Sequence, residues 1–450
     1  MGQPQSEAWR LGVFLGPVPT IVNDGMDPFP TGWQDLPPES GHNVLRCRQQ
    51  VQLEIFAYLD WEDILSARLV SRRWREMVDF QFEEKGKVVC DASYDLDVVG
   101  ILHRLSSWPV VPRSLVFKNV ALDRAVSREV EEMIEGVREM ALVSCSIHPD
   151  ALVRLLGACS RLRRLCVDEP GVSFLCLLLR LMPRSLPTVT RLELRSTRRL
   201  DDSLLSVFWE ACPNLVEFSL SATNFASNPA IFSRFYPRGS EEPSRYVLTM
   251  GHLERLLRSK EGFRSLALTQ MNLNSPLLVN ILCESSIDLC FLDLSGCKEV
   301  SSGCLTEIVK KQKSLRGLRL VGTGGVADAL LSKICNLTFL EELWIGDVSV
   351  SFSKDVLEGL HRLQDLKNLH ITCHGEFCLG NRGQLKFLSL EYCRLTPNLE
   401  QTCKPQQMRE LCLEHCLTIT DSDMQMLLDS LMNLVVLRLG DLPLTDFAFS

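Results

Sequence analysis

A short apolar pattern, Leu-x-x-Leu-x-Leu, returns at spacings of 25 to 27 residues along most of the chain. Its second apolar position falls at Leu115, Met140, Leu165, Leu192, Phe218, Leu266, Leu292, Leu318, Leu343, Leu369, Leu388, Leu411 and Leu437. The spacing departs to 48 between Phe218 and Leu266, to 19 before Leu388 and to 23 before Leu411. A chain of 450 residues exceeds the usual limit for one compact core. A fixed period resolves this, because each unit needs to bury its apolar face only against its neighbours.

Each unit opens with a strand of alternating apolar residues, then a turn, then a helix such as Asp202 to Glu210, Ser302 to Lys311 or Asp421 to Ser430. Stacked units place parallel strands inside and helices outside, a curved solenoid. Upstream, Val88 lies 27 residues before Leu115, so Lys87 to Asp91 is expected as a first, capping strand. Within the 48-residue spacing, Arg245 to Thr249 reads as a degenerate strand, and 225–244, with Pro229, Pro237, Gly239 and Pro243, as an inserted loop. A polar cap is expected beyond the strand around Leu437; fraying, pairing with a partner and truncation all stay open there.

Three residues after the last strand leucine the pattern places Cys or Thr, at Cys145, Thr197, Thr223, Cys297, Thr323, Cys393 and Cys416. A small side chain with a weak donor fits beneath the strand at that point. The pattern resembles the cysteine-containing class of leucine-rich repeats. The fold class is therefore α/β: a leucine-rich-repeat solenoid over 114–450, entered through a linker and capping strand at 81–113.

Before the array, Ile55, Phe56, Leu59, Ile64, Leu65, Leu69, Val70 and Trp74 fall at three- and four-residue intervals, the spacing of a small bundle of short helices. So small a bundle leaves an apolar face in want of a partner. Residues 36–80 resemble an F-box, the motif by which receptor subunits dock on the Skp-type adaptor of SCF ubiquitin ligases. The family motif opens Leu-Pro-x-Glu and runs directly into an apolar helix. Here Leu36-Pro37-Pro38-Glu39 is separated from Val51 by Ser40 to Gln50, and removing those eleven residues restores the family pattern. We read 40–50 as an in-frame insertion that loops out of the first helix, either evolved or a translated intron remnant. Leu36 and Pro37 then dock only by closing that loop. The resemblance assigns adaptor contact to Leu36, Pro37, Val51, Leu53, Ile55, Phe56, Leu59, Leu65, Leu69, Val70 and Trp74. It also implies a link through the adaptor to the cullin scaffold, ubiquitination and proteasomal degradation of a bound target, and catalysis by other subunits.

A net charge of -8 and a pI near 5.6 give no drive toward nucleic acid or anionic lipid, so protein partners are expected. The run from Leu11 to Val18 is broken by Gly12, Gly16 and Pro17 and makes a poor signal peptide; no stretch is long enough to span a bilayer. Met1 to Ser6 fits the loose N-myristoylation pattern without a supporting basic patch. The segment 1–35 is expected to be disordered. A cytoplasmic or nuclear location follows, with the eighteen cysteines as packed thiols.

Two motifs invite other readings. Gly322-Thr-Gly-Gly-Val-Ala327 fits a dinucleotide fingerprint, but it sits in register with repeats on both sides. His370, Cys373 and His374, and His415 with Cys412 and Cys416, contain no Cys-x-x-Cys pair and occupy repeat slots. No catalytic constellation, cofactor site or metal site is expected.

In a strand read x-Leu-x-Leu-x, the x residues face away from the helices. The central ones are Glu193, Ser219, Ala267, Asp293, Arg319, Trp344, His370, Ser389, Cys412 and Arg438, with Phe291 and Phe387 in the slot before the first leucine. These large groups are expected to face solvent. Interface energy concentrates in Trp, Tyr and Arg, so Phe291, Arg319, Trp344, His370 and Phe387 are the expected target contacts. Glu391, Glu410 and Glu414 make the last strands acidic and hint at a basic target segment. The expected function is a ligase receptor; the alternative is a repeat scaffold or inhibitor-like protein that no longer engages the adaptor.

Overall fold

The computed structural model describes residues 61–92, 111–122, 134–168, 186–196, 200–223, 225, 243–260, 262–284, 287–377, 384–395 and 407–449. The chain divides into two units, Met1–Tyr58 and Leu59–Ser450, and the first falls outside the described residues. The second begins with helices α1 (Trp61–Arg68) and α2 (Arg72–Lys85). The side chains of Arg68 and Asp79 tie the two together at 2.6 Å.

A fourteen-stranded parallel sheet follows, its strands adjacent in strict chain order. They are β1 (Lys87–Asp91), β2 (Ser114–Lys118), β3 (Glu139–Val143), β4 (Arg164–Asp168) and β5 (Arg191–Arg195). Next come β6 (Glu217–Ser221), β7 (Ser265–Thr269), β8 (Phe291–Asp293), β9 (Gly317–Val321) and β10 (Glu342–Gly346). The last four are β11 (Asn368–Thr372), β12 (Phe387–Glu391), β13 (Glu410–Glu414) and β14 (Val436–Gly440). Register alone shows why the sequence repeats. Leu115 pairs with Met140, Met140 with Leu165, and the row continues through Phe218, Leu266 and Leu369 to Leu437. Every expected strand leucine lies on one continuous rung, and from Leu115 to Leu411 these side chains are buried. Each contributes about 1.5–3 kcal/mol of burial energy. This is the leucine-rich-repeat fold. The capping strand is present as β1, with Val88 opposite Leu115.

The turn after most of the strands is held from two sides. The first residue past it, or the third after the shorter β8, takes a left-handed conformation, at Asn119, Ser144, Ser196, Ala222, Gln270, Gly296, Gly322, Tyr392, His415 and Asp441. Its N–H reaches a carbonyl of the next repeat, as from Ser144 to Asp168 O (2.9 Å) and from Gly322 to Gly346 O (2.8 Å). For a non-glycine this conformation costs on the order of 1 kcal/mol, which the added hydrogen bond offsets. One residue later comes the Cys or Thr slot. Cys297 Sγ donates to Leu268 O at 3.0 Å, Cys145 Sγ to Phe117 O at 3.3 Å and Thr323 Oγ1 to Leu294 O at 2.7 Å, each in the preceding repeat. Thr197 lies outside the described residues. The fourteen described cysteines are free thiols.

The expected strand at Arg245–Thr249 is absent. β6 pairs directly with β7, Phe218 against Leu266, so the 48-residue spacing is one enlarged repeat. The segment 243–249 is irregular, and Thr249 caps the helix Met250–Arg258 by accepting from His252 N. Buried Asp202 takes both the N–H (2.7 Å) and the hydroxyl (2.9 Å) of Thr249. Two side-chain bonds at a helix start outcompete the weak strand propensity of Tyr246-Val247-Leu248. The inserted loop expected at 225–244 lies mostly outside the described residues.

The glycines of 322–325 are turn residues. Gly322 takes the left-handed slot, and a Cβ on Gly324 would lie 2.0 Å from Lys298 O of the preceding repeat. No helix among the described residues is long and apolar enough to cross a membrane.

Candidate protein-binding face

The strand positions facing away from the leucine rungs form three rows across the sheet. The central row reads Glu193, Ser219, Ala267, Asp293, Arg319, Trp344, His370, Ser389, Cys412 and Arg438, each beside the next. All five expected target contacts converge on β8 to β12. The Arg319 guanidinium carbon stands 4.3 Å from the Trp344 ring centre and 5.2 Å from that of Phe291. Trp344 stacks on Phe387, with centroids 6.2 Å apart and planes 13° apart, and lies 5.3 Å from His370. Arg319 Nε donates to the Glu342 carboxylate, which holds the guanidinium plane in place.

The expectation that these groups simply face solvent needs correction. Phe291, Arg319, Trp344 and Phe387 are half-buried, and His370 is only 8% exposed. Strands about 4.8 Å apart bring neighbouring rings over one another, so the cluster covers its own edges and closes over the imidazole.

His370 is therefore part of a buried proton arrangement. Thr372 donates its hydroxyl to Glu391 Oε2 at 3.0 Å. With that proton committed, Thr372 Oγ1 accepts from His370 Nε2 (3.1 Å), which leaves Nδ1 to accept from Ser389 Oγ at 2.9 Å. Burial, aided by the Arg319 charge, lowers the His370 pKa to about 4, so the ring is neutral near pH 7. Burial also raises the Glu391 carboxyl, and Glu414 on the next strand adds to that against the Thr372 hydrogen bond.

Toward β4 and β5 the face is held by charge. Glu193, 2% exposed, receives Arg164 Nη2 at 2.8 Å, Arg191 Nε at 2.8 Å and Arg195 Nη2 at 2.9 Å. Burial opposes its ionised form, but the three guanidiniums outweigh that and keep its carboxyl below the usual range. The sequence reading placed Glu193 on the solvent strip and missed the network. The signal was there: Arg191-Leu-Glu-Leu-Arg195 puts three charges on one face of a single strand, with Arg164 one rung away.

Of the expected adaptor contacts, Leu36, Pro37, Val51, Leu53, Ile55, Phe56 and Leu59 lie outside the described residues, as does the insertion 40–50. Leu65 is in α1. Leu69 and Val70, in the turn between α1 and α2, are 77% and 62% exposed, and Trp74 in α2 is half-buried. Two large apolar side chains therefore stand in water within a short helical pair. Residues 33–81 match the F-box-like family. The F-box-like segment thus ends six residues before β1 begins at Lys87.

Among solved structures, the chain is similar to one in a complex of Rad7 and Elc1 from yeast: 16% identity, 92% of this chain, 96% of that chain, TM-score 0.47. A Leptospira interrogans leucine-rich-repeat protein shows 18% identity over 80% of this chain and 89% of its own, at a TM-score of 0.38. A TLR13–ssRNA13 complex shows 15% identity over 74% of this chain and 53% of its own, also at 0.38. The fold assignment rests on the ladder itself. No curated protein matches the chain. Among the described residues, no group of His, Cys, Asp and Glu is arranged to hold a metal ion.

Proposed function

We infer that the chain is a non-catalytic receptor subunit of an SCF-type ubiquitin ligase, acting in the cytoplasm or nucleus. It docks a Skp-type adaptor, and through it the cullin scaffold, by its F-box-like segment. On the outward face of β8 to β12 it holds a target protein for ubiquitination and degradation. The observation that carries this reading is the F-box-like match over 33–81, joined to a sheet whose outward face gathers Phe291, Arg319, Trp344 and Phe387. Exposed Leu69 and Val70 supply apolar surface of the kind an adaptor would cover. Such a receptor needs no catalytic group of its own, because it acts by raising the local concentration of target lysines.

The segment Ser40–Gln50 favours a second reading, in which the chain is a repeat scaffold that does not engage the adaptor. Adaptor pull-down by the full chain and by a version lacking Ser40–Gln50, both checked for folding, separates the two. Binding by both supports the receptor reading with a tolerated loop, and binding by the shortened version alone marks an inactive form. Binding by neither overturns the receptor reading.

A further inference from the structure

The outward face is not uniform in charge. On its early strands every glutamate meets an arginine: Glu139 meets Arg113 and Arg164, Glu193 meets three, and Glu217 meets Arg191. On β10, Glu342 meets Arg319. On β12 and β13 the pattern stops. Glu391 accepts from the Thr372 hydroxyl, lies 4.0 Å from the neutral His370 ring, and has His415 as its other electrostatic neighbour of favourable sign. Among the described residues no Lys or Arg forms an ion pair with Glu391, Glu410 or Glu414. The nearby arginine, Arg438 of β14, turns its Nη1 to Cys412 Sγ at 3.9 Å instead.

The placement of these carboxylates is regular. Phe387 and Glu410 are side by side in the first row, Ser389 and Cys412 in the central row, and Glu391 and Glu414 in the last. The small central residues are each 6% exposed and lie low between larger neighbours, His370 against Ser389 and Arg438 against Cys412. Aromatic residues lie at both ends of these strands. The Trp344–Phe387 stack lies at one end. Beyond the other, Tyr392 and His415 stack with centroids 4.6 Å apart and planes 16° apart. Carboxylates in no Lys or Arg ion pair, beside aromatic groups and small central residues, match what a guanidinium or ammonium seeks: opposite charge together with a quadrupole face.

We propose that the outward face of β11 to β13 takes an extended, arginine- or lysine-bearing segment of the target, its basic side chains lying over Ser389 and Cys412 between Glu410 on one side and Glu391 and Glu414 on the other. The inference rests on the reading of this face as a target site and specifies the class of target. An acidic segment would meet three like-charged carboxylates that no Lys or Arg ion pair neutralises, with Arg438 at Cys412 as the nearby cation. A second copy of the chain, itself at net charge -8, is disfavoured for the same reason.

The test uses the full chain and two end-blocked fluorescent peptides, one alternating Ser with Arg and one alternating Ser with Glu, read by anisotropy at low and high salt. The Arg peptide binds and weakens as salt rises, while the Glu peptide does not bind. The triple variant Glu391→Gln, Glu410→Gln, Glu414→Gln loses about tenfold or more in affinity for the Arg peptide. Glu410→Gln alone gives a smaller loss and serves if the triple variant misfolds. Equal binding of both peptides, or unchanged affinity in the Gln variants, overturns the proposal. Trp344→Ala in capture of a cellular target separates the two readings. If it abolishes capture while the Gln variants do not, the face stands and the basic class falls. If it has no effect, the face itself falls.

Discussion

Arg319 and Trp344 occupy the same position on neighbouring strands, and the guanidinium of one lies over the ring of the other at 4.3 Å. The pair is preorganised. Arg319 is fixed at Nε by Glu342 and lies against the rings of Trp344 and Phe291, so a partner docking on it would cost little side-chain freedom.

Trp344→Ala should therefore weaken target capture at least about tenfold, the scale of an interface hot spot, while lowering stability by about 1–3 kcal/mol. Arg319→Lys keeps the charge but loses the planar stack, and should reproduce much of the binding loss with a smaller stability cost. Quantitative pull-down alongside thermal melting checks both. Full capture by a folded Trp344→Ala protein would remove this cluster from the binding site.

Acid should destabilise the array in a defined window. His252 and His370 are both buried, and burial lowers each pKa from 6.5 to about 4, with help from Arg255 and Arg319 respectively. The unfolded chain takes up protons on these rings below pH 6.5 while the folded chain resists until about pH 4. Stability is thus fully present above 6.5 and is lost as pH falls through that interval, by up to roughly 3 kcal/mol for each ring. Melting temperature should fall as pH is lowered from 6.5 toward 4, and His370→Gln should flatten that dependence.

Glu193→Ala should be among the more damaging changes on the outward face. It leaves three guanidiniums facing one another over a site that was 2% exposed, at a cost of about 3 kcal/mol or more. The urea midpoint reports it. Because the folded carboxyl sits below the usual range, this contribution holds above the ordinary glutamate pKa and is lost only as pH falls below that.

Two glycine replacements should move stability in opposite directions. At Gly324 a Cβ would press within 2.0 Å of Lys298 O, so Gly324→Ala forces backbone to shift and should cost on the order of 2 kcal/mol. At Gly303, inside the helix Ser302–Lys311, a Cβ meets nothing within 4 Å, and Gly303→Ala should stabilise by about 0.5–1 kcal/mol. Equal effects from the two would contradict the assignment of 322–325 to repeat turns.

Period made the fold legible. Once Leu115 to Leu437 were aligned, strand order and register followed, because a single-residue slip would turn every leucine to the wrong face. The helices at Ser302–Lys311 and Asp421–Ser430 were equally clear from their spacing. At Arg245–Thr249 the local signal misled, since β-prone residues were recruited to cap a helix against Asp202, a partner 47 residues away. The face was legible in position and not in environment. Alternation put His370 and Glu193 on the right side of the sheet, but their burial depends on rings and guanidiniums from adjacent repeats. The left-handed slot announced itself only where it was glycine, at Gly296 and Gly322; Tyr392 and His415 gave no hint of it.

The double bonding of these turns has an evolutionary corollary. Ala222 reaches Thr269 O before the chain leaves for its longest excursion, so the junction is closed upstream of the extra length. Equivalent leucines are 48 residues apart there and 19 apart between Leu369 and Leu388, yet the sheet runs on without a break. Insertions and deletions past that point are insulated from the outward face of the sheet. A lineage can therefore lengthen or trim its outer loops freely while inheriting the geometry of that face.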